Sequence, residues 1–368
     1  MIERIALVSP YALSVFGGVQ EQVLAMSREL SRRGRDVIVI CPDSSDARLY
    51  DTPAEVARFG HLLLLPANGS KAPLTLSFKA ARDAREALEA FRPDVVHLHE
   101  PFAPLIGWAI LRSHRTPQVA TFHRSGAGPA FTLTRPLLKS LARDIDVASS
   151  VSESAALTIR STVGVESRVL FNGFETDRFV ASPRERGDEI VLVCVGRLEE
   201  RKGTEFAVHA VLEHNARGGD QWRLVVIGDG PERAKLELLC AHDEMIVFAG
   251  AVGDATKRAW LRRADVLLAP ATRGESFGLV LLEAMASETL VVASDIPGYR
   301  EAAGGHAVLF EPANERSLEQ AVAKALSGES AEAIAGARRH AERWSMGHLM
   351  DEYETIYEIA RQRFHEPR

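Results

Sequence analysis

Glu189-Ile190-Val191-Leu192-Val193-Cys194-Val195-Gly196-Arg197 decides the fold, because an alternation already run once begins again here. Its apolar residues are continuous rather than alternating, as in a strand buried on both faces of a parallel sheet. Downstream, strand-like runs at Trp222–Gly228, Met245–Ala249, Asp265–Ala269, Leu290–Ser294 and His306–Phe310 alternate with helical stretches such as Thr204–His214 and Phe277–Ser287. Upstream, the same alternation passes through Arg4–Ser9, Asp36–Cys41, Leu62–Pro66, Asp94–His99, Gln118–Phe122, Asp146–Val151 and Arg168–Phe171. Helical periods at Val19–Arg33, Leu76–Phe91 and Ser152–Thr162 separate those runs, several of them opened by Ser or Thr caps. The expected class is α/β: two doubly wound, Rossmann-like domains facing a cleft, with ligands beyond the carboxyl ends of the strands.

The segment Asn172–Asp188, with Asn172-Gly173, Pro183 and the charged run Arg184-Glu185-Arg186-Gly187-Asp188, has linker composition. The expected domains are therefore 1–172, joined by a terminal helix at 348–368 that crosses back, and 186–347. Length agrees, since 368 residues at 46% apolar exceed what one core of ~250–300 residues holds. The apolar content and mild net charge exclude disorder. No apolar run approaches the ~20 residues of a membrane-spanning helix. Cys41, Cys194 and Cys240 lie in apolar or helical surroundings and read as reduced thiols of a cytoplasmic protein. Residues 1–180 carry 21 Lys and Arg against 19 Asp and Glu, and residues 181–368 carry 23 against 31. An acidic total argues against a nucleic-acid partner.

Four constellations carry chemistry. Gly17-Gly18, between the first strand and its helix, lets backbone N–H groups approach a phosphate, although a plain tight turn would use the same pair. Arg197 and Lys202 follow a strand end and suit a diphosphate, or else are solvated loop charges. Gly274-Glu275-Ser276-Phe277-Gly278, continued by Leu279 and by Glu283 eight residues after Glu275, is the most specific signal. It makes a glycine-flanked loop leading into a helix start, with a carboxylate placed to accept from ribose hydroxyls. Thr121-Phe122-His123 ends an apolar strand in a proton-handling side chain. His97 and His99 read as merely hydrogen-bonded, and no spacing suits a metal site.

These blocks resemble the retaining, nucleotide-sugar-dependent glycosyltransferases of family 4, which have the GT-B architecture. Gly17-Gly18-Val19, Asp94–His99, Thr121–His123, Asn172-Gly173, Gly196-Arg197 with Arg201-Lys202-Gly203, Ile227–Gly230 and Gly274–Gly278 with Glu283 stand in family order. Within the family the chain is most similar to the phosphatidylinositol mannosyltransferases, through Gly18-Val19-Gln20, Asn68-Gly69-Ser70, and Val252–Lys257 with Arg263–Val266. The resemblance implies a GDP-mannose donor, no obligatory metal and a lipid acceptor at the inner membrane leaflet, visited by a cytoplasmic, peripheral protein. It implies catalytic roles for His123, Glu275, Arg197 and Lys202. Donor contacts would come from Gly18, Arg197, Lys202, Val252, Asp254, Lys257, Glu275, Ser276, Phe277, Gly278, Leu279 and Glu283. Acceptor contacts would come from Tyr11, Gln20, Asn68, Ser70 and Arg201. Asp254 and Lys257, three apart at a helix start, could read the N1–H, N2 amine and O6 of guanine, or Asp254 could simply cap that helix. The mannosyltransferase pattern has an Asp near Ser14 and a Lys near Gly128, both on the acceptor side. Lys79, Arg82 and Arg85 are offset by Asp83, Glu86 and Glu89 where that pattern is strongly basic. Phe131 and Leu133, after Gly126-Ala127-Gly128-Pro129, are expected as apolar side chains of a loop that visits a bilayer, or else of a loop that folds over the cleft. Another nucleotide sugar, or a soluble acceptor such as an inositol phosphate or a glycan, is the alternative.

Overall fold

The computed structural model describes residues 2–15, 17–43, 50–67, 70–113, 115–124, 126, 131, 133–179, 189–240, 243–275 and 277–366. They divide into two compact units, Met1–Phe174 with Met346–Arg368, and Glu175–Ser345. The expected linker lies largely outside the described residues, since 180–188 are not among them.

In the first unit the described strands are β1 (Arg4–Val8), β2 (Asp36–Pro42), β3 (Glu55–Phe59), β4 (Leu63–Ala67), β5 (Ser70–Leu74), β6 (Val95–His99), β7 (Gln118–Phe122), β8 (Val147–Ser150) and β9 (Arg168–Val169). The helices are α1 (Gly18–Arg32), α2 (Phe78–Phe91), α3 (Ile106–Ser113), α4 (Arg135–Ala142) and α5 (Glu153–Val163). A parallel sheet takes the order β3-β2-β1-β6-β7-β8-β9, with Leu7 opposite both Val39 and His97. Successive side chains of β1 go to opposite faces, so Ile5 and Leu7 join one apolar layer and Ala6 and Val8 the other. The caps are as read: Ser77 and Ser152 accept from the amides of Ala80 and Ala155, each at 3.2 Å.

One strand differs. The leucine run at Leu62–Pro66 is not a strand of this sheet; β4 pairs antiparallel with β5 in a separate ribbon, and Glu55–Phe59 takes the sheet edge. An edge strand needs only partial burial, so Glu55-Val56-Ala57-Arg58-Phe59 carries little apolar signal. The leucines mislead for the opposite reason, because Leu63 and Leu64 are apolar yet exposed.

In the second unit β10 (Ile190–Val195), β11 (Trp222–Ile227), β12 (Ile246–Gly250), β13 (Val266–Ala269), β14 (Leu290–Ser294) and β15 (Val308–Phe310) form a parallel sheet in the order β12-β11-β10-β13-β14-β15. Its helices are α6 (Thr204–Ala216), α7 (Arg233–Cys240), α8 (Asp254–Arg263), α9 (Leu279–Ala286), α10 (Pro297–Ala303), α11 (Glu315–Ser327) and α12 (Ala331–Glu342). The glycines of Ile227–Gly230 have a packing reason. Gly228 has φ +137°, and a Cβ there would strike the Gly196 carbonyl, so no other residue lets β10 and β11 end this close together.

The last helix, α13 (Met346–His365), belongs to the first unit. Met346, Leu349, Met350, Tyr353, Ile356, Tyr357 and Ala360 recur every three or four residues and pack against Leu7, Val23, Met26 and Val39.

Candidate functional site

The strand ends of the second unit concentrate charge. Lys202 closes a 3₁₀ turn, Glu200–Lys202, in the loop that follows β10. Its Nζ lies 2.6 Å from Glu275 Oε1, and the Arg201 guanidinium reaches the same oxygen at 2.9 Å. Arg201 also donates to the Gly274 carbonyl at 3.2 Å and to Glu199 at 2.9 Å. Arg197, half exposed, meets the other oxygen of Glu199 at 3.1 Å. A concavity among Gly196, Arg197, Lys202, Pro270 and Tyr299 opens beside these groups. Glu199, not singled out from the sequence, thus aligns two arginines; its signal was only its place in the charged run Glu199–Lys202. Arg201, expected with the acceptor residues, is held by Glu199, Gly274 and Glu275.

Gly278 caps α9 with φ +91°, and a Cβ there would lie 2.6 Å from the Tyr299 ring. The first-turn amides of a helix have no intrahelical acceptor, so the Gly278–Leu279 end of α9 presents N–H donors. Phe277 contributes only backbone here, because its ring is buried against Trp344 with centroids 4.5 Å apart. Ser276 lies outside the described residues.

A second charged set lies at the start of α8. Gly253, not Asp254, is the cap, and the Asp254 side chain makes no capping bond. Its carboxylate instead meets Arg258, Lys257 at 3.3 Å and Arg178 at 3.4 Å. Lys257 Nζ is 2.8 Å from Glu283 Oε1, which joins the expected base and ribose readers into one network. Burial alone would lower the Lys257 pKa, but Glu283 and Asp254 outweigh it and hold the ammonium charged. Val252 is half-buried in the loop just before α8.

The strand ends of the first unit are built differently. His123 follows β7, and its Nε2 is 2.9 Å from His99 Nδ1. Burial pushes the His123 pKa down to about 4. Glu100, which the sequence reading passed over, is buried with φ +43° and accepts from the backbone amides of His123 and of Arg124, the latter at 2.6 Å. Burial raises its pKa, against the lowering effect of those amides and of Arg124. Tyr11 is half-buried, and burial together with the Glu100 charge raises its pKa. Gln20 is buried and donates to the Ala12 carbonyl at 3.4 Å, so it braces the loop after β1. Gly18 opens α1 with clear space where a Cβ would stand. Asn68 and the side chain of Ser70 lie outside the described residues, as do 127–130. Phe131, expected to be exposed, is half-buried against Phe102 and under the Arg124 guanidinium; Leu133 is exposed.

Comparison with known proteins agrees with both halves. A family model described as Glycosyltransferase Family 4 matches residues 16–178, and one described as Glycosyl transferases group 1 matches 189–328. The phosphatidyl-myo-inositol mannosyltransferase of Propionibacterium freudenreichii is 35% identical over 342 residues, covering 88% of this chain and 86% of that protein. Its namesake from Mycolicibacterium smegmatis is 33% identical over 373 residues, covering 96% and 94%. The structure of Anabaena HepE in complex with UDP-glucose superposes with a TM-score of 0.73 at 18% identity, covering 96% of this chain and 99% of that one.

Proposed function

Since the chain belongs to the family 4 glycosyltransferases and has their GT-B fold, we propose that it is a mannosyltransferase carrying mannose from GDP-mannose to a phosphatidylinositol-type lipid with retention. The observation that carries this reading is the Lys202–Glu275–Arg201 cluster, within 2.6–2.9 Å at the strand ends of the second unit and close in sequence to the helix start at Gly278. When a sugar leaves a nucleoside diphosphate, negative charge grows on a phosphate oxygen while the sugar becomes oxocarbenium-like. Once the diphosphate is bound, Arg197, Lys202 and the amides of Phe277–Leu279 stabilise that growing charge, and Gly18 offers a further backbone donor. Glu275, displaced from the cations by the diphosphate, takes the sugar hydroxyls. Glu283 takes the ribose, and Asp254 with Lys257 reads the guanine beside Val252. His123 serves the sugar from the first unit, and Tyr11 the acceptor. Two cations meet the diphosphate's charge, so no metal is obligatory in this reading.

The lipid acceptor draws support from the relatives' names and from Leu133, whose side chain is 85% exposed. No described helix is long and apolar enough to cross a membrane. A soluble acceptor is the second reading, favoured by α2. There Lys79 and Asp83 pair at 2.7 Å, Arg82 and Glu86 at 3.6 Å, and Arg85 and Glu89 at 3.7 Å, which leaves no net basic face for anionic lipid. Incubation with radiolabelled GDP-mannose and phosphatidylinositol vesicles, then with soluble inositol phosphate, separates the two. Label extracted with the lipid supports the proposal; label found only in the aqueous product, or transfer only from UDP-glucose, refutes it.

A further inference from the structure

A polar column runs through the first unit where apolar packing is the rule. His97 and His99 share one face of β6, Thr121 stands on the same face of β7 with His123 following it, and α13 covers them with Tyr353 and Tyr357. His97 Nδ1 meets the Tyr357 hydroxyl at 2.9 Å, and its Nε2 meets Thr121 Oγ1 at 2.6 Å. Thr121 Oγ1 lies in turn 2.9 Å from the Tyr353 hydroxyl. His99 stacks on His97 with centroids 4.5 Å apart, and its Nδ1 faces His123 Nε2 at 2.9 Å. His99 Nε2 is buried without a hydrogen-bond partner among the described residues.

That orphaned nitrogen settles where the protons sit. A neutral imidazole has one N–H and one lone pair. A proton on His99 Nε2 would bury an N–H with no acceptor, and such groups are rarer in folded proteins than under-satisfied acceptors. The proton therefore sits on Nδ1 and is donated to His123 Nε2. His123, accepting at Nε2, carries its own proton on Nδ1. This reverses the ordinary preference of a free neutral histidine for Nε2–H.

Both rings are neutral near pH 7. Burial pushes His123 to about 4, His97 to about 3 and His99 well below its ordinary value, with the neighbouring histidines adding to the effect at His97 and His99. Glu100 meets the backbone amides of His123 and Arg124, and the Glu100 and Arg124 charges bear on Tyr11.

We propose that His99 is a positioning residue that locks neutral His123 as its Nδ1–H tautomer, so that His123 meets its ligand as a hydrogen-bond donor to an oxygen rather than as a base. This rests on the reading of His123 as a sugar-side group. The matching ligand atom is an oxygen with a free lone pair, such as a sugar hydroxyl.

The direct test is a long-range ¹H–¹⁵N correlation spectrum of the ¹⁵N-histidine-labelled full chain at pH 7, with His123 assigned by its loss in His123→Asn. The expected pattern is a protonated Nδ1 and a bare Nε2 on His123; protonated Nε2 overturns the proposal. His99→Leu should return His123 to Nε2–H and lower kcat with GDP-mannose about tenfold at little change in KM, the worth of one neutral hydrogen bond. His99→Asn, which keeps an N–H donor near the place of Nδ1, should restore most of that loss. A His99→Leu chain that melts early but keeps His123 as Nδ1–H makes His99 merely structural and sinks the proposal. If the wild type shows Nδ1–H while His123→Asn transfers sugar at the normal rate, the lock stands and the sugar-side role of His123 falls.

Discussion

The two sheets end in opposite kinds of chemistry. At the ends of the second, Lys202, Arg201 and Arg197 share the carboxylates of Glu275 and Glu199 at 2.6–3.1 Å, and Lys257 is held between Asp254 and Glu283. At the ends of the first, His97, His99 and His123 are neutral and hydrogen-bonded. The difference teaches how each half holds its groups before a ligand arrives. Neighbouring cations would repel one another if left bare, so carboxylates hold them; in the proposed reaction the diphosphate takes over that role. The buried histidine rings meet hydroxyls and one another rather than carboxylates among the described residues, and stay neutral because charging them in an apolar core costs too much.

The comparison breaks first at Lys202. In the proposed reaction, Lys202→Ala removes a cation aimed at the leaving diphosphate and should lower kcat by about 10²-fold, with Arg197→Ala acting in the same sense. A rise in KM with kcat intact would mean that these cations only bind the ground state.

Acid sharpens the contrast from the other side. The folded pKa of His97 lies at about 3, below its unfolded value of 6.5, so the unfolded chain binds the proton first. Its contribution to stability is complete above pH 6.5 and is lost as pH falls toward 3, with a slope of ~1.4 kcal/mol per pH unit for each such histidine. Hydrogen exchange at pH 7 and pH 5 should therefore show protection falling in β6 and β7, and His97→Gln should flatten that dependence. Equal protection at the two pH values would contradict the neutral column.

The smallest effect concerns Glu275. Glu275→Gln removes the carboxylate that competes with a diphosphate for Lys202 and Arg201, so GDP alone should bind about threefold tighter even as sugar transfer falls. Weaker GDP binding in this variant would mean that Glu275 holds the cations in place rather than competing for them.

Much of this was legible in the sequence. The restart at Glu189 and the stripe of α13 follow from apolar periodicity, which burial enforces residue by residue. Arg197, Lys202, Glu275 and Gly278 were legible as candidates because their charges and glycines fall in the loop after β10 and at the start of α9. What escaped was set by tertiary neighbours. Glu55–Phe59 was missed because a sheet edge demands little apolar character, and Leu62–Pro66 was misplaced because Leu63 and Leu64 are apolar yet exposed. Glu100 could not be read as important until β7 brought two amides onto its carboxylate. Arg201 could not be assigned to Glu275 from spacing alone, since 74 positions separate them.

The most direct measurement is calorimetric titration of the wild-type chain with GDP and with UDP, repeated for Asp254→Asn. The proposed base recognition by Asp254 and Lys257 predicts GDP binding at least about tenfold tighter than UDP, with the preference lost in the variant. Equal affinity of the wild type for the two nucleotides, or a preference unchanged by Asp254→Asn, would contradict it.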